Sequence, residues 1–134
     1  MGVKAIEFLK KMLRQNVLDE DTFLVLDEPE IHLHPEWQII YAKALVMTAQ
    51  RLHTRILVTT HSPYFLQALQ VYTEAADAED TFNVYTVDEC ESTCRFRRAD
   101  ENDLDGIIDS MSRPFDELMK VQVGGDLDVM GEKQ

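Results

Sequence analysis

Two acids stand side by side at the end of an apolar run in Phe23-Leu24-Val25-Leu26-Asp27-Glu28, and His32 and His34 follow before Pro35. A second apolar run, Ile56-Leu57-Val58, closes on Thr59-Thr60-His61-Ser62-Pro63. Carboxylates at the end of a buried segment are costly to desolvate unless a metal, a cation or a substrate proton offsets them. An aspartate there can hold Mg²⁺ through water, and the next carboxylate, facing another way, is free to orient or deprotonate an attacking water. A histidine nearby can donate to a phosphate oxygen as charge develops on it. Two other readings stand beside this one. His32 and His34 could hold a metal with Asp27 or Glu28 in a metal-dependent hydrolase, although a His-x-His pair lacks a third histidine fixed by spacing. The acids could also be a solvated strand end without chemistry.

These residues need elements to position them. Residues 22–27 and 56–60 are short apolar runs without alternation, the pattern of parallel strands covered on both faces. Between them, Pro35 opens a helical periodicity that runs to residue 52 and places Trp37, Tyr41 and Leu45 on one buried stripe. Strand, helix and strand of these lengths form a βαβ unit, and ligands of open α/β sheets bind at the carboxyl ends of the strands. Asp27, Glu28 and His61 are therefore expected at one edge. Residues 3–15 read as an amphipathic helix, and Ser62-Pro63 opens another that ends near residue 72. An acidic loop over 73–81 leads to a hairpin of strands 82–87 and 93–97. One short helix is expected around Leu104 to Met111, a second after Pro114, and a flexible tail over 124–134.

Composition bounds the classes of function. With 134 residues, one domain is the default, and the absence of a long apolar run or an apolar leader predicts a cytoplasmic protein. Twenty-five acidic against 13 basic residues give a net charge of −12, which disfavours direct contact with nucleic acid. Nucleic acid is expected only indirectly, through a partner, and no membrane is expected. Cys90 and Cys94 read as free thiols, two being too few for a four-ligand zinc site.

Taken together, the motifs resemble the ABC-type ATPase family, and more narrowly the stand-alone, SMC-like ABC ATPases grouped with AAA ATPases and related to the chromosome-maintenance and overcoming-lysogenization proteins. FLVLDE looks like a Walker B strand, PEIHLHP sits where the D-loop would be, and ILVTTHSP looks like the switch-histidine strand. The run DEPEIHLHPEWQ is itself specific to the stand-alone branch. The resemblance implies an α/β fold over residues 1–123, namely the C-terminal half of a P-loop NTPase with parallel strands, flanking helices, a C-terminal hairpin and short helices. It implies ATP and Mg²⁺ as ligands. Asp27 would coordinate Mg²⁺ through water, Glu28 would polarise the hydrolytic water and His61 would contact the γ-phosphate. His34 would communicate across a dimer of heads. Gly2 would be the remnant of the signature contact made in trans, with Met1 where that motif has serine.

No G-x-x-x-x-G-K-[ST] segment occurs in these residues, so the backbone nest and lysine that hold the phosphates are missing. The expected function is ATP binding and hydrolysis within a head completed by a P-loop supplied separately. Self-association or a P-loop-bearing partner half is the expected company, DNA maintenance or phage defence the expected setting. A non-catalytic binding fragment of such an ATPase is the alternative.

Overall fold

The computed structural model describes residues 3–124. In chain order the elements are α1 (Val3–Arg14), β1 (Phe23–Asp27), α2 (Pro35–Leu52), β2 (Arg55–Thr59), α3 (Pro63–Ala75), a 3₁₀ turn (Glu79–Thr81), β3 (Val84–Cys90), β4 (Thr93–Ala99) and α4 (Glu101–Gly124). The two helices that follow the strands start alike. His34 and Ser62 sit at the N-caps with Pro35 and Pro63 just inside, where a missing N–H costs nothing. No helix among the described residues is long and apolar enough to cross a membrane.

β1 and β2 pair in parallel, in a register that runs from Phe23↔Arg55 to Asp27↔Thr59. Leu24, Leu26, Ile56 and Val58 pack on a core built from Leu9 of α1, Leu18, Leu33, Tyr41, Ala42 and Leu45 of α2, and Phe65 and Ala68 of α3. Tyr41 and Phe65 stack at 6.0 Å between ring centroids, an arrangement worth about 0.5–1.5 kcal/mol beyond area burial. The opposite face of the strand pair is open: Phe23 is 59% exposed, Val25 57% and Leu57 47%. Cover on both faces was the expectation, and it fails because the core helices all bury against the inner face. Trp37, expected in the core, is 50% exposed, since the buried stripe of α2 begins one turn later at Tyr41.

β3 and β4 form an antiparallel hairpin that makes a sheet of its own, with Cys90↔Thr93 nearest the turn. Cys94 is a free, exposed thiol. Arg97 ties the hairpin to α4, reaching Asp103 at 2.8 Å and Asp88 at 3.5 Å. Asp100 and Asp103 cap the start of α4 reciprocally, each carboxylate accepting the other's backbone N–H. The expected break at Pro114 is absent: α4 is one helix across it. A proline there removes the N–H that would bond the carbonyl of Ser110 and crowds that carbonyl, yet the helix runs on, with Phe115 and Leu118 beyond it 58% and 64% exposed. The expected tail begins at Gly124, the last residue of α4; residues 125–134 lie outside the described residues. The architecture is thus α/β, with a helix-flanked parallel strand pair followed by an antiparallel hairpin.

Among the described residues, four that are not glycine have a left-handed backbone. Asn16, His53 and Asp77 lie just past the ends of α1, α2 and α3, where that conformation ordinarily closes a helix. Glu28, with φ 44°, is the exception, since it follows a strand. The left-handed conformation costs a residue with a Cβ roughly 1–2 kcal/mol. Glu28→Gly is therefore expected to be more stable than Glu28→Ala by about 1 kcal/mol in urea unfolding. In ordinary extended backbone the order would reverse.

At the other end of the chain, the Asp100 backbone N–H and then Arg97 hold the Asp103 carboxyl below its ordinary value of 3.8. A carboxyl lowered by folding adds stability above 3.8 and loses it as pH falls from there through the depressed folded value. The protection factor of the Leu104 amide against hydrogen exchange should therefore fall with acid in that window in the parent and not in Asp103→Asn. The same acid dependence in both would contradict this account of the cap.

Candidate functional site

The site is built where β1 and β2 end level with each other. Because Asp27 and Thr59 are register partners, their side chains share the open face, and the Thr59 hydroxyl donates to the Asp27 carboxylate. The next peptide turns back on the same residue. The Glu28 N–H donates to the Thr59 carbonyl at 3.1 Å and to its hydroxyl at 3.0 Å, which secures the left-handed turn. That turn takes Glu28 off the alternation of the strand and toward the following strand end, where its Oε1 lies 3.5 Å from Nε2 of His61.

The two members of this pair are presented differently. Glu28 is one-third exposed at its side chain, whereas the His61 ring is 91% exposed. A carboxylate carried on an anchored backbone faces an imidazole that projects into solvent, leaving the side of the pair away from the protein open to a ligand. A proton acceptor and a potential hydrogen-bond donor separated by this distance can bracket a water and the oxygen of an anion.

Behind the pair lies a third acid that sequence reasoning passed over. Glu30 is 4% exposed; its Oε1 accepts from the Thr60 hydroxyl at 2.5 Å, and its Oε2 is buried with no partner among the described residues. Burial, and after it the charge of Glu30, pushes the Tyr41 hydroxyl up to about 12. Thr60 also accepts from the backbone N–H of Ser62, at 3.0 Å. Two threonines thus serve two acids: Thr59 serves Asp27 and Thr60 serves Glu30. A signal for this was present in the sequence, because Thr59-Thr60 stands at the strand end that pairs with the acidic one.

The remaining candidates are dispersed. His34 caps α2, its Nδ1 facing the N–H of Glu36 at 3.5 Å, and His32 is exposed in the preceding loop. No group of three or more His, Cys, Asp or Glu side chains placed to hold a metal ion occurs among the described residues. Gly2 lies outside the described residues.

Residues 4–66 match the AAA ATPase domain family, a stretch that takes in most of α1, all of β1, α2 and β2, and the start of α3. Over 56 residues the chain is 38% identical to Septu protein PtuA of Bacillus thuringiensis, a similarity covering 41% of this chain and 13% of that protein. The matched stretch thus spans about one-eighth of the length of that curated relative. Nucleotide binding is the general property of AAA ATPase domains, and Asp27, Glu28 and His61 all fall inside the matched stretch.

Proposed function

We propose that these residues are the Walker B, D-loop and switch-histidine part of an ABC-like ATPase head that hydrolyses ATP once a P-loop is contributed from outside the 134 residues. The observation that carries the proposal is the Glu28–His61 pair, 3.5 Å apart at the level ends of two parallel strands. Glu28 orients the attacking water and accepts its proton. His61 donates to the γ-phosphate oxygen that gains charge in the transition state.

Asp27 suits a magnesium ion held through water. It is exposed at a strand end, and the Thr59 hydroxyl fixes the carboxylate by one oxygen. Bound there, Mg²⁺ would neutralise charge on the phosphates. The described residues offer no glycine-rich nest or lysine to grip those phosphates, so the 134-residue chain by itself would bind ATP at about millimolar strength or weaker.

The open face of β1 and β2 supports the same reading. Parallel strands are rarely left uncovered, and a surface presenting Phe23, Val25 and Leu57 suits the remainder of a head, or a second copy, packed against it. His34, at the start of α2, would face the partner head. The setting we propose is DNA maintenance or phage defence, with a Septu-type system the specific one to examine, given the similarity to Septu protein PtuA. A hydrolase built on a metal at His32 and His34 has less support, because His34 is occupied as a helix cap.

The test combines the chain with a segment bearing a G-x-x-x-x-G-K-[ST] motif and measures ATP turnover. Glu28→Gln should keep ATP binding and lose turnover by roughly 10²- to 10⁴-fold, the usual consequence of removing a general base. His61→Ala should also slow turnover. Unchanged turnover in Glu28→Gln, or brisk hydrolysis by the chain without the added segment, would overturn the proposal.

A further inference from the structure

His61 presents a physical problem. At 91% exposure its ring has almost no packing to hold it, yet it stands at 3.5 Å from Glu28. Its place must come from the backbone on either side, and both neighbours belong to one hydrogen-bonded circuit. The Thr60 hydroxyl donates to Glu30 Oε1 at 2.5 Å and accepts from the Ser62 N–H at 3.0 Å. The Ser62 hydroxyl donates to Gln38 Oε1 at 2.5 Å while accepting the Phe65 N–H at 3.3 Å as the cap of α3. Gln38 Nε2 donates to the Leu33 carbonyl at 2.9 Å, and the Leu33 N–H returns to the Glu30 carbonyl at 2.8 Å, which closes the loop.

We propose that Gln38, together with Glu30, Thr60 and Ser62, is a positioning residue that holds His61 against Glu28. This rests on the reading of that pair as the reactive one. Glu30 is two residues from Glu28, and Thr60 and Ser62 flank His61, so the circuit grips both members of the pair from behind. Capping of α3 alone would need only the bond from Phe65 N–H to Ser62. The further bond to Gln38, donated from the same hydroxyl, joins the start of α2 to the start of α3. Only an amide does this at position 38: it accepts from Ser62 and donates to the Leu33 carbonyl. A carboxylate would face that carbonyl with no proton to offer, and an apolar side chain would abandon both partners. Cooperative strengthening along such a chain of bonds makes the loss of one link felt at the others.

The experiment uses the 134-residue chain and needs no nucleotide, so it can succeed or fail independently of the turnover measurements above. Gln38 is only half-buried, and Gln38→Met preserves its length. By NMR at a fixed neutral pH, Gln38→Met and Gln38→Glu should each lose the proton–proton NOE between the His61 ring and the Glu28 side chain. Each should also raise hydrogen exchange at the Leu33 and Ser62 amides by roughly tenfold, although neither amide bonds Gln38 itself. The ring signals of His53, at the far end of α2, should stay where they are. Thr60→Ser, which keeps the hydroxyl, should retain the NOE that Thr60→Val loses. An NOE and amide exchange unchanged in Gln38→Met would overturn the inference. So would a His53 shift as large as that of His61, which would mean general loosening, or absence of the NOE from the parent.

Discussion

The register of one strand pair governs this molecule. Because Asp27 lies opposite Thr59, β1 and β2 end at the same height, and the residues that follow each strand emerge at one edge. A slip of one residue would exchange the two faces of a strand, putting Leu24 and Leu26 in solvent and Asp27 against the core. The burial that fixes the fold therefore also fixes the pairing of Glu28 with His61.

Placing acids at the end of buried strands raises the desolvation problem that the sequence posed at the outset. The solution among the described residues is neutral rather than cationic. Thr59 and Thr60, consecutive in sequence, point to opposite sides of their strand, one toward Asp27 on the open face and the other toward Glu30 inside. A hydroxyl satisfies part of a carboxylate's need without neutralising its charge. The charge on Glu30 is felt at Tyr41, whose hydroxyl it helps to push up.

The sequence disclosed the elements well where periodicity and punctuation agreed. Pro35 and Pro63, each behind a capping residue, announced the starts of α2 and α3, and the two apolar runs announced the strands to within a residue. It misled where a local pattern depends on what lies around it. An unbroken apolar strand says that both faces seek cover, whereas only one face of β1 and β2 receives it from the described residues. Trp37 obeys the spacing of the buried stripe and still lies beyond its end. Pro114 signals a helix boundary, yet α4 continues through it although the apolar residues that follow are largely exposed. The circuit through Gln38 was hidden for another reason: its members are 30, 33, 38, 60 and 62, and no spacing rule relates a helix's first turn to a threonine more than twenty residues away.

The open face and the acidic edge make complementary demands on whatever completes the site. The face around Phe23, Val25 and Leu57 asks for apolar contact, and the edge around Asp27 and Glu28, in a chain of net charge −12, would ask for positive charge before the polyphosphate of the proposed function could approach. On the proposed reading a magnesium ion would answer part of the second demand, and a P-loop segment would answer both, since its strand would bring apolar side chains and its loop N–H groups and a lysine. Neither part, on that reading, would be catalytic by itself: the acids would have no grip on the phosphates, and the grip would have no base for the water. Coupling the two through a sheet surface would, on the same proposed reading, make hydrolysis conditional on assembly, with the circuit behind His61 holding one side of the junction.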